Sequence, residues 1–296
     1  MSAPETPQRQ LTPLEPLVEQ LERASALDDV GKRIGRFVRD AIPRGPIKDG
    51  LSGTWLGHAL HPMLTDVVIG SFMGASLLDL LGEDGDGAER LIGVGLAAYA
   101  PTAAAGANDW ADTEPADDSV RRVGLVHSTG NLLAGSLYAA SLVARRRGAR
   151  GRGKLLGAAG VAVLSVGGYL GGHLSLAKGV GADQTAFDAG PDDWTAVVDS
   201  SQLDEGRPVR VIADDTPVMV VRRGDAIHAI HDRCSHRGCS LASGEIDGEE
   251  VECACHGSRF ALADGALRRG PATAAQPAYE VRETEGRVEV RLRPAG

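Results

Sequence analysis

Between Leu11 and about Ile42 the apolar residues fall at helical spacing: Leu14, Leu17, Val18 and Leu21, then Leu27, Val30, Ile34, Phe37 and Val38. Lys32, Arg33, Arg36 and Arg39 occupy another face of the second half. The pattern predicts an amphipathic helix, which either lies on a membrane surface or packs on the protein's own body. Residues 1–10 ahead of it, with two prolines and no apolar run, read as a disordered tail. Four long apolar stretches follow, at roughly 59–82, 89–107, 122–144 and 155–177. Each is near the ~20 residues that a bilayer-crossing helix needs. They are rich in Gly and Ala, with small residues one turn apart (Gly70 and Gly74; Gly167 and Gly171; Gly168 and Gly172), a spacing that lets membrane helices pack backbone to backbone. A soluble helical bundle is the competing expectation.

After Gly181 the period changes from helical to alternating. Short runs such as Val209–Ile212, Val218–Arg222 and Val288–Arg293, broken by Gly and Asp, predict strands. The expected architecture is therefore multi-domain: a tail and amphipathic helix over 1–50, an all-α four-helix transmembrane bundle over 51–181, and an all-β domain over 191–296. A short polar linker around Ala182–Pro191 joins the last two. The formal net charge of −9 argues against a nucleic-acid partner, since no broad basic face is left for phosphates. The first residues lack the basic-then-apolar pattern of a cleaved signal peptide.

All four cysteines lie between residues 234 and 255, which suggests a metal site rather than a disulfide scaffold. Cys234-Ser-His236 is separated by sixteen residues from Cys253-Ala-Cys255-His256. Each segment offers one thiolate and one imidazole, the donor set that puts two Cys on one iron and two His on the other. Tetrahedral zinc uses the same donors, though normally at other spacings. The C-x-H and C-x-x-H pair resembles the Rieske family, and so do Trp194, Gly257 and Gly270-Pro271-Ala272 around it. The resemblance implies an all-β Rieske domain, a [2Fe–2S] cluster on Cys234, His236, Cys253 and His256, and one-electron transfer. It also implies a loop-bridging disulfide between Cys239 and Cys255. Ser258 matches a family serine whose hydroxyl bonds a cluster sulfur and raises the potential. Phe260 stands where the companion tyrosine would be, so one such bond should be missing. Arg237 replaces the apolar residue that quinol-oxidising Rieske subunits carry after the first ligand histidine, which points to an electronegative partner surface. No histidine follows His256, so the two-His, one-carboxylate iron of a Rieske oxygenase catalytic subunit is not expected here. His228 and His231 read as ordinary strand residues.

The apolar region holds His58, His61, His127 and His173. With four alternating spans they all fall on one side, in one layer beneath the cluster domain. The segment from Trp55 to Asp66, together with Gly171-Gly172-His173, resembles a small bacterial four-helix membrane domain that looks distantly like haem-b cytochrome bundles. That implies a haem b or quinone site at these histidines, with hydrogen bonding across helices as the plainer alternative. Asp66 and Asp109 lie on the same side. The expected location is the cell membrane, multi-pass. Basic residues near the span ends divide almost evenly, and a disulfide favours an external cluster domain. The functional expectation is a membrane-anchored Rieske electron-transfer protein working with a redox partner protein or quinone, through an exposed histidine edge. The alternatives are a tethered ferredoxin serving a separate reductase or oxygenase, and a Rieske subunit of a respiratory complex.

Overall fold

The computed structural model describes residues 14–83 and 85–293. The expected tail over 1–10 lies outside them. The amphipathic segment is two helices rather than one. α1 (Glu15–Glu22) and α2 (Asp28–Ala41) are separated at Ala24, whose ψ of 72° is not helical, and by a single 3-10 turn at Ser25–Leu27. Asp28 and Asp29 then occupy the first turn of α2, where carboxylates favour a new helix start.

α2 packs on the protein's own body through its glycines. A Cβ at Gly31 would come within 2.7 Å of the Arg121 side chain, and Gly35 faces Glu114 just as closely packed. Its apolar stripe, Val30, Ile34 and Phe37, stays exposed. A short helix that the hydrophobic pattern did not announce, α3 (Pro46–Ser52), starts on Pro46 and ends at Gly53 in the left-handed conformation.

Four long helices follow: α4 (Leu60–Leu80), α5 (Gly87–Thr113), α6 (Asp118–Arg146) and α7 (Arg150–Gly172), the last continued by one π-helical turn, His173–Ala177. Asp117 caps α6, its carboxylate accepting from the backbone N–H of Ser119 and Val120. The bundle core joins Val68, Phe72, Ile92, Tyr138 and Leu164, with Phe72 and Tyr138 stacked 4.0 Å apart. Of the paired glycines, Gly167 and Gly171 meet side chains of α6, whereas Gly70, Gly168 and Gly172 meet nothing.

Among the described residues, two helices are long and apolar enough to cross a membrane: α4, and α7 with its π turn, at mean hydropathy 1.5 and 1.6. α5 and α6 fall short of the four spans expected. Thr102, Asn108, Asp109 and Asp112 on α5, and Arg121, Ser128, Thr129 and Asn131 on α6, dilute their apolar surface. Even so, large apolar side chains are exposed on all four helices, among them Leu77, Leu80, Val94, Leu132, Leu155 and Val166.

The C-terminal part is all-β. A six-stranded antiparallel sheet runs in the order β1-β10-β9-β4-β3-β2, built from β1 (Thr195–Asp199), β2 (Val209–Ala213), β3 (Thr216–Arg223), β4 (Ala226–His231), β9 (Ala278–Thr284) and β10 (Arg287–Leu292). A smaller sheet, β5-β6-β7-β8, comprises Glu245–Asp247, Glu250–Glu252, Arg259–Ala261 and Leu267–Arg269. The core between them gathers Met219, Ile230, Leu241, Val251, Phe260 and Leu262 with Cys234 and Cys253. His228 and His231 do lie on a strand, β4. The linker is pinned to this part: Gln184 N–H donates to the Ser235 carbonyl at 3.0 Å, and Tyr279 Oη donates to the Ala189 carbonyl at 2.9 Å.

Candidate metal centre

Two loops converge at the tip of the small sheet. The first, between β4 and β5, carries Cys234, His236 and Cys239. The second, between β6 and β7, carries Cys253, Cys255, His256 and Ser258. Each is a tight turn closed by its own backbone, Gly238 N–H to the Cys234 carbonyl at 2.8 Å and Gly257 N–H to the Cys253 carbonyl at 2.9 Å. Both glycines have positive φ, 75° and 83°, which a residue with a Cβ adopts only with strain. Cys239 and Cys255 form a disulfide that ties one loop to the other.

Cys234 and Cys253 remain as free thiols, each 1% exposed. Backbone N–H groups of His236 and Arg237 point at the Cys234 sulfur, and those of Cys255 and His256 at the Cys253 sulfur. The hydrogen bond between the two thiols holds Cys253 down to about 7 and pushes Cys234 up. The rings of His236 and His256 lie 4.9 Å apart, edge to face. Burial, then the charge of Arg237, keeps His236 neutral well below the usual imidazole range. His256 is lowered too, chiefly by burial. Neutral imidazole is the form that binds a metal.

The donors fit a mixed thiolate–imidazole cluster. His236 Nδ1 is a buried nitrogen with no hydrogen-bond partner, the atom an iron would otherwise satisfy, and its loop also carries the buried free thiol of Cys234. Ser258 is fully buried. Its Oγ accepts from the Ala272 N–H at 2.9 Å, which leaves its own hydrogen free to donate inward. Phe260, also fully buried, adds only apolar wall.

The expectation of an exposed histidine edge is overturned at His236, while His256 is half-buried. The His236 side chain is only 9% exposed, because the acidic C-terminal end of α5 covers it. A helix C-terminus carries partial negative charge, and this one adds Asp109, Asp112 and Glu114. Cations converge there: Lys48 Nζ donates to Asp112 Oδ1 at 2.8 Å and to Asn108 Oδ1 at 3.2 Å. Arg237 Nη2 donates to the Asp109 carbonyl at 3.3 Å. Arg39 and Arg121 both pair with Glu114, each at 2.7 Å. The electronegative surface expected opposite Arg237 thus belongs to the same chain. Arg44 and Thr54 complete the seam, donating to the carbonyls of Ala254, Cys255 and Ala272.

The four bundle histidines do not share one site. His58 is exposed and bonds the neighbouring Ala59 carbonyl. His173 Nε2 pairs with Glu22 of α1 at 2.8 Å. Only His61 and His127 turn inward. Each makes an Nδ1 bond to a carbonyl on the next helix, Thr102 at 2.9 Å and Gly167 at 2.8 Å. Topology fixed which end of the bundle they occupy, but rotation about each helix axis decided which neighbour they meet. The seam residues Arg44, Lys48 and Asp112 carried no motif that singled them out.

The fold and site define a cluster-binding β domain attached to a helical domain. Residues 193–280 match the Rieske [2Fe-2S] domain family, and residues 57–184 match a family described as "Predicted membrane protein (DUF2231)". The anthranilate 1,2-dioxygenase ferredoxin subunit of Burkholderia cepacia is 31% identical over 100 residues, 34% of this chain and 93% of that protein. Ferredoxin CarAc of Metapseudomonas resinovorans is 35% identical over 98 residues, 33% of this chain and 92% of that protein. Among solved structures, the ferredoxin of carbazole 1,9a-dioxygenase from Nocardioides aromaticivorans IC177 shares 33% identity, covering 34% of this chain and 98% of that one at a TM-score of 0.33. The chain belongs to the Rieske [2Fe–2S] domain family through its C-terminal part.

Proposed function

We propose that the chain is a membrane-anchored Rieske electron carrier whose cluster, held by Cys234, His236, Cys253 and His256, works against its own helical domain. A cluster of this type supplies one-electron redox chemistry. The protein's residues hold its donors neutral or thiolate, exclude water with the disulfide-braced loops, and aim the His236 edge at α5. The observation that carries the reading is that edge, covered by Asp112 and Lys48 rather than by solvent.

Membrane anchoring is supported by the family matched over 57–184, by two apolar helices, and by the apolar side chains exposed around all four. On this reading all four helices span, and the disulfide favours an external cluster domain. A second site inside the bundle narrows to His61 and His127. Nothing in this arrangement calls for haem b: His127 Nε2, the atom that would ligate iron, accepts from Asn131 Nδ2 at 3.1 Å. A quinol hydroxyl, donating to the unprotonated Nε2 that the Nδ1–carbonyl bond leaves on His61, asks for less room. Lipid extraction and optical spectra of the purified protein test this. Bound quinone lost in His61→Ala supports it, and a quinone-free preparation that still re-oxidises normally argues against it.

A tethered ferredoxin serving a separate oxygenase is the second reading, favoured by the near-complete match to dioxygenase ferredoxins. It requires the seam to open. The rate at which a protein-sized oxidant re-oxidises the reduced cluster separates the two. Slow reaction in the intact chain, accelerated when the seam is loosened, supports work within the chain; fast reaction in the intact chain supports the ferredoxin.

A further inference from the structure

Asp112 belongs to α5 of the helical domain, yet its Oδ2 lies 3.6 Å from Nε2 of His236, on the side of the ring away from the orphaned Nδ1. At that distance the contact is an electrostatic approach rather than a hydrogen bond. Asp112 is 2% exposed at its side chain and Lys48 5%. Oδ1 is engaged by Lys48, while Oδ2 is buried with no hydrogen-bond partner. A carboxylate oxygen in that position must have a reason to remain, because burying an unsatisfied charged acceptor is costly. Acting on it electrostatically are His236, His256 and Arg237 from the cluster domain, Lys48 from α3, and Asp109 on its own helix. The contact links the two domains: it exists only while the cluster loops sit on α5.

We propose that Asp112 is a positioning residue through which the helical domain sets the midpoint potential of the Rieske cluster, lowering it in the docked state. The inference rests on His236 being a cluster ligand through Nδ1. Reduction adds one negative charge to the cluster, and a carboxylate beside an outer ligand ring disfavours that charge in a water-poor seam. Lys48 acts with the opposite sign, favouring the reduced state and partly offsetting Asp112. The pair makes the potential a property of docking. A cluster domain lifted off α5 would lose both charges together, along with the burial that makes them effective.

The test is an EPR-monitored redox titration of the full-length protein in detergent, at one fixed pH near neutrality, for the wild type, Asp112→Asn and Lys48→Met. Asp112→Asn keeps the shape and removes the charge. It is expected to favour reduction by about tenfold, a rise of ~59 mV for one electron. Lys48→Met is expected to leave the potential unchanged or lower it. An Asp112→Asn potential that does not rise overturns the proposal. So does a rise in both variants, which would mean that loss of docking is the common cause. Spin counts show whether each variant keeps its cluster. If Asp112→Asn does not, Asp112→Ser removes the same charge with a smaller side chain and carries the same expectation. Failure of the ligand assignment is distinguishable, because the wild type would then lack the mixed-ligand signal altogether.

Discussion

Arg44 and Cys255 are joined across the seam: Arg44 Nη2 donates to the Cys255 carbonyl at 3.0 Å and, beside it, to the Ala254 carbonyl at 2.9 Å. Cys255 is also half of the disulfide that braces the two candidate ligand loops. The helical domain therefore grips the cluster domain at its most constrained loop, and movement of one part is felt by the other.

Loosening that grip should expose the cluster. Charge-assisted hydrogen bonds contribute roughly 1.5–3 kcal/mol, but the Arg44 side chain is 49% exposed, so about 1 kcal/mol is the reasonable figure after solvent screening. Arg44→Ala is expected to raise the rate of cluster oxidation by a protein-sized oxidant about fivefold. Stopped-flow absorbance of the reduced protein reads this directly; an unchanged rate would mean that the seam does not limit access.

Removing the disulfide should weaken the site without abolishing it. Cys239 and Cys255 are separated by 16 residues, and closing a loop of that size stabilises a fold by about 3 kcal/mol. Cys239→Ser/Cys255→Ser is expected to lower the denaturation midpoint accordingly and to shorten the cluster's lifetime in chelator, measured by loss of visible absorbance.

Ser258→Ala should lower the midpoint potential. The Ala272 N–H already occupies one acceptor site of the hydroxyl, so its hydrogen is available to a cluster sulfur. Losing a hydrogen bond to a charged acceptor, roughly 1.5 kcal/mol at the low end, corresponds to a drop on the order of 60 mV for one electron. Phe260→Tyr should move the potential the other way. Protein-film voltammetry checks both.

The N-terminal helices should detach in acid. Arg122 holds Asp28 down to about 2, mainly by a direct hydrogen bond. A carboxylate whose folded value is depressed contributes stability above its unfolded value, near 3.8, and loses it as pH falls toward 2. Amide protection over Glu15–Ala41, taken relative to the intrinsic exchange rate at each pH, should therefore fall between about pH 4 and pH 2. Asp28→Asn should show the faster exchange already at neutral pH, with the acid step removed.

The positions of the candidate ligands were legible in the chain because Cys-x-His and Cys-x-x-His are local spacings on two turns, each needing a glycine that the sequence supplies. The four long helices were legible as apolar stretches, and of the ten strands described β2, β3 and β10 were named from their alternation. The break at Ala24 was not, since apolar residues continue in register on both sides of it. Nor was the covered His236 edge. Asp112 and Lys48 are ordinary charges in the sequence, and only the docking of the β domain on the end of α5 turns them toward one imidazole. Arg237 carried half of that information: a cation at the tip asked for a negative surface, and the chain supplies one.

A mixed-ligand cluster on Cys234, His236, Cys253 and His256 is tested most directly by electron paramagnetic resonance of the dithionite-reduced full-length protein. One spin per chain is expected, with the low average g-value of a cluster having two histidine ligands, and it should be lost in His236→Ala. A silent spectrum with bound zinc, or the higher average g-value of an all-cysteine cluster, would contradict it.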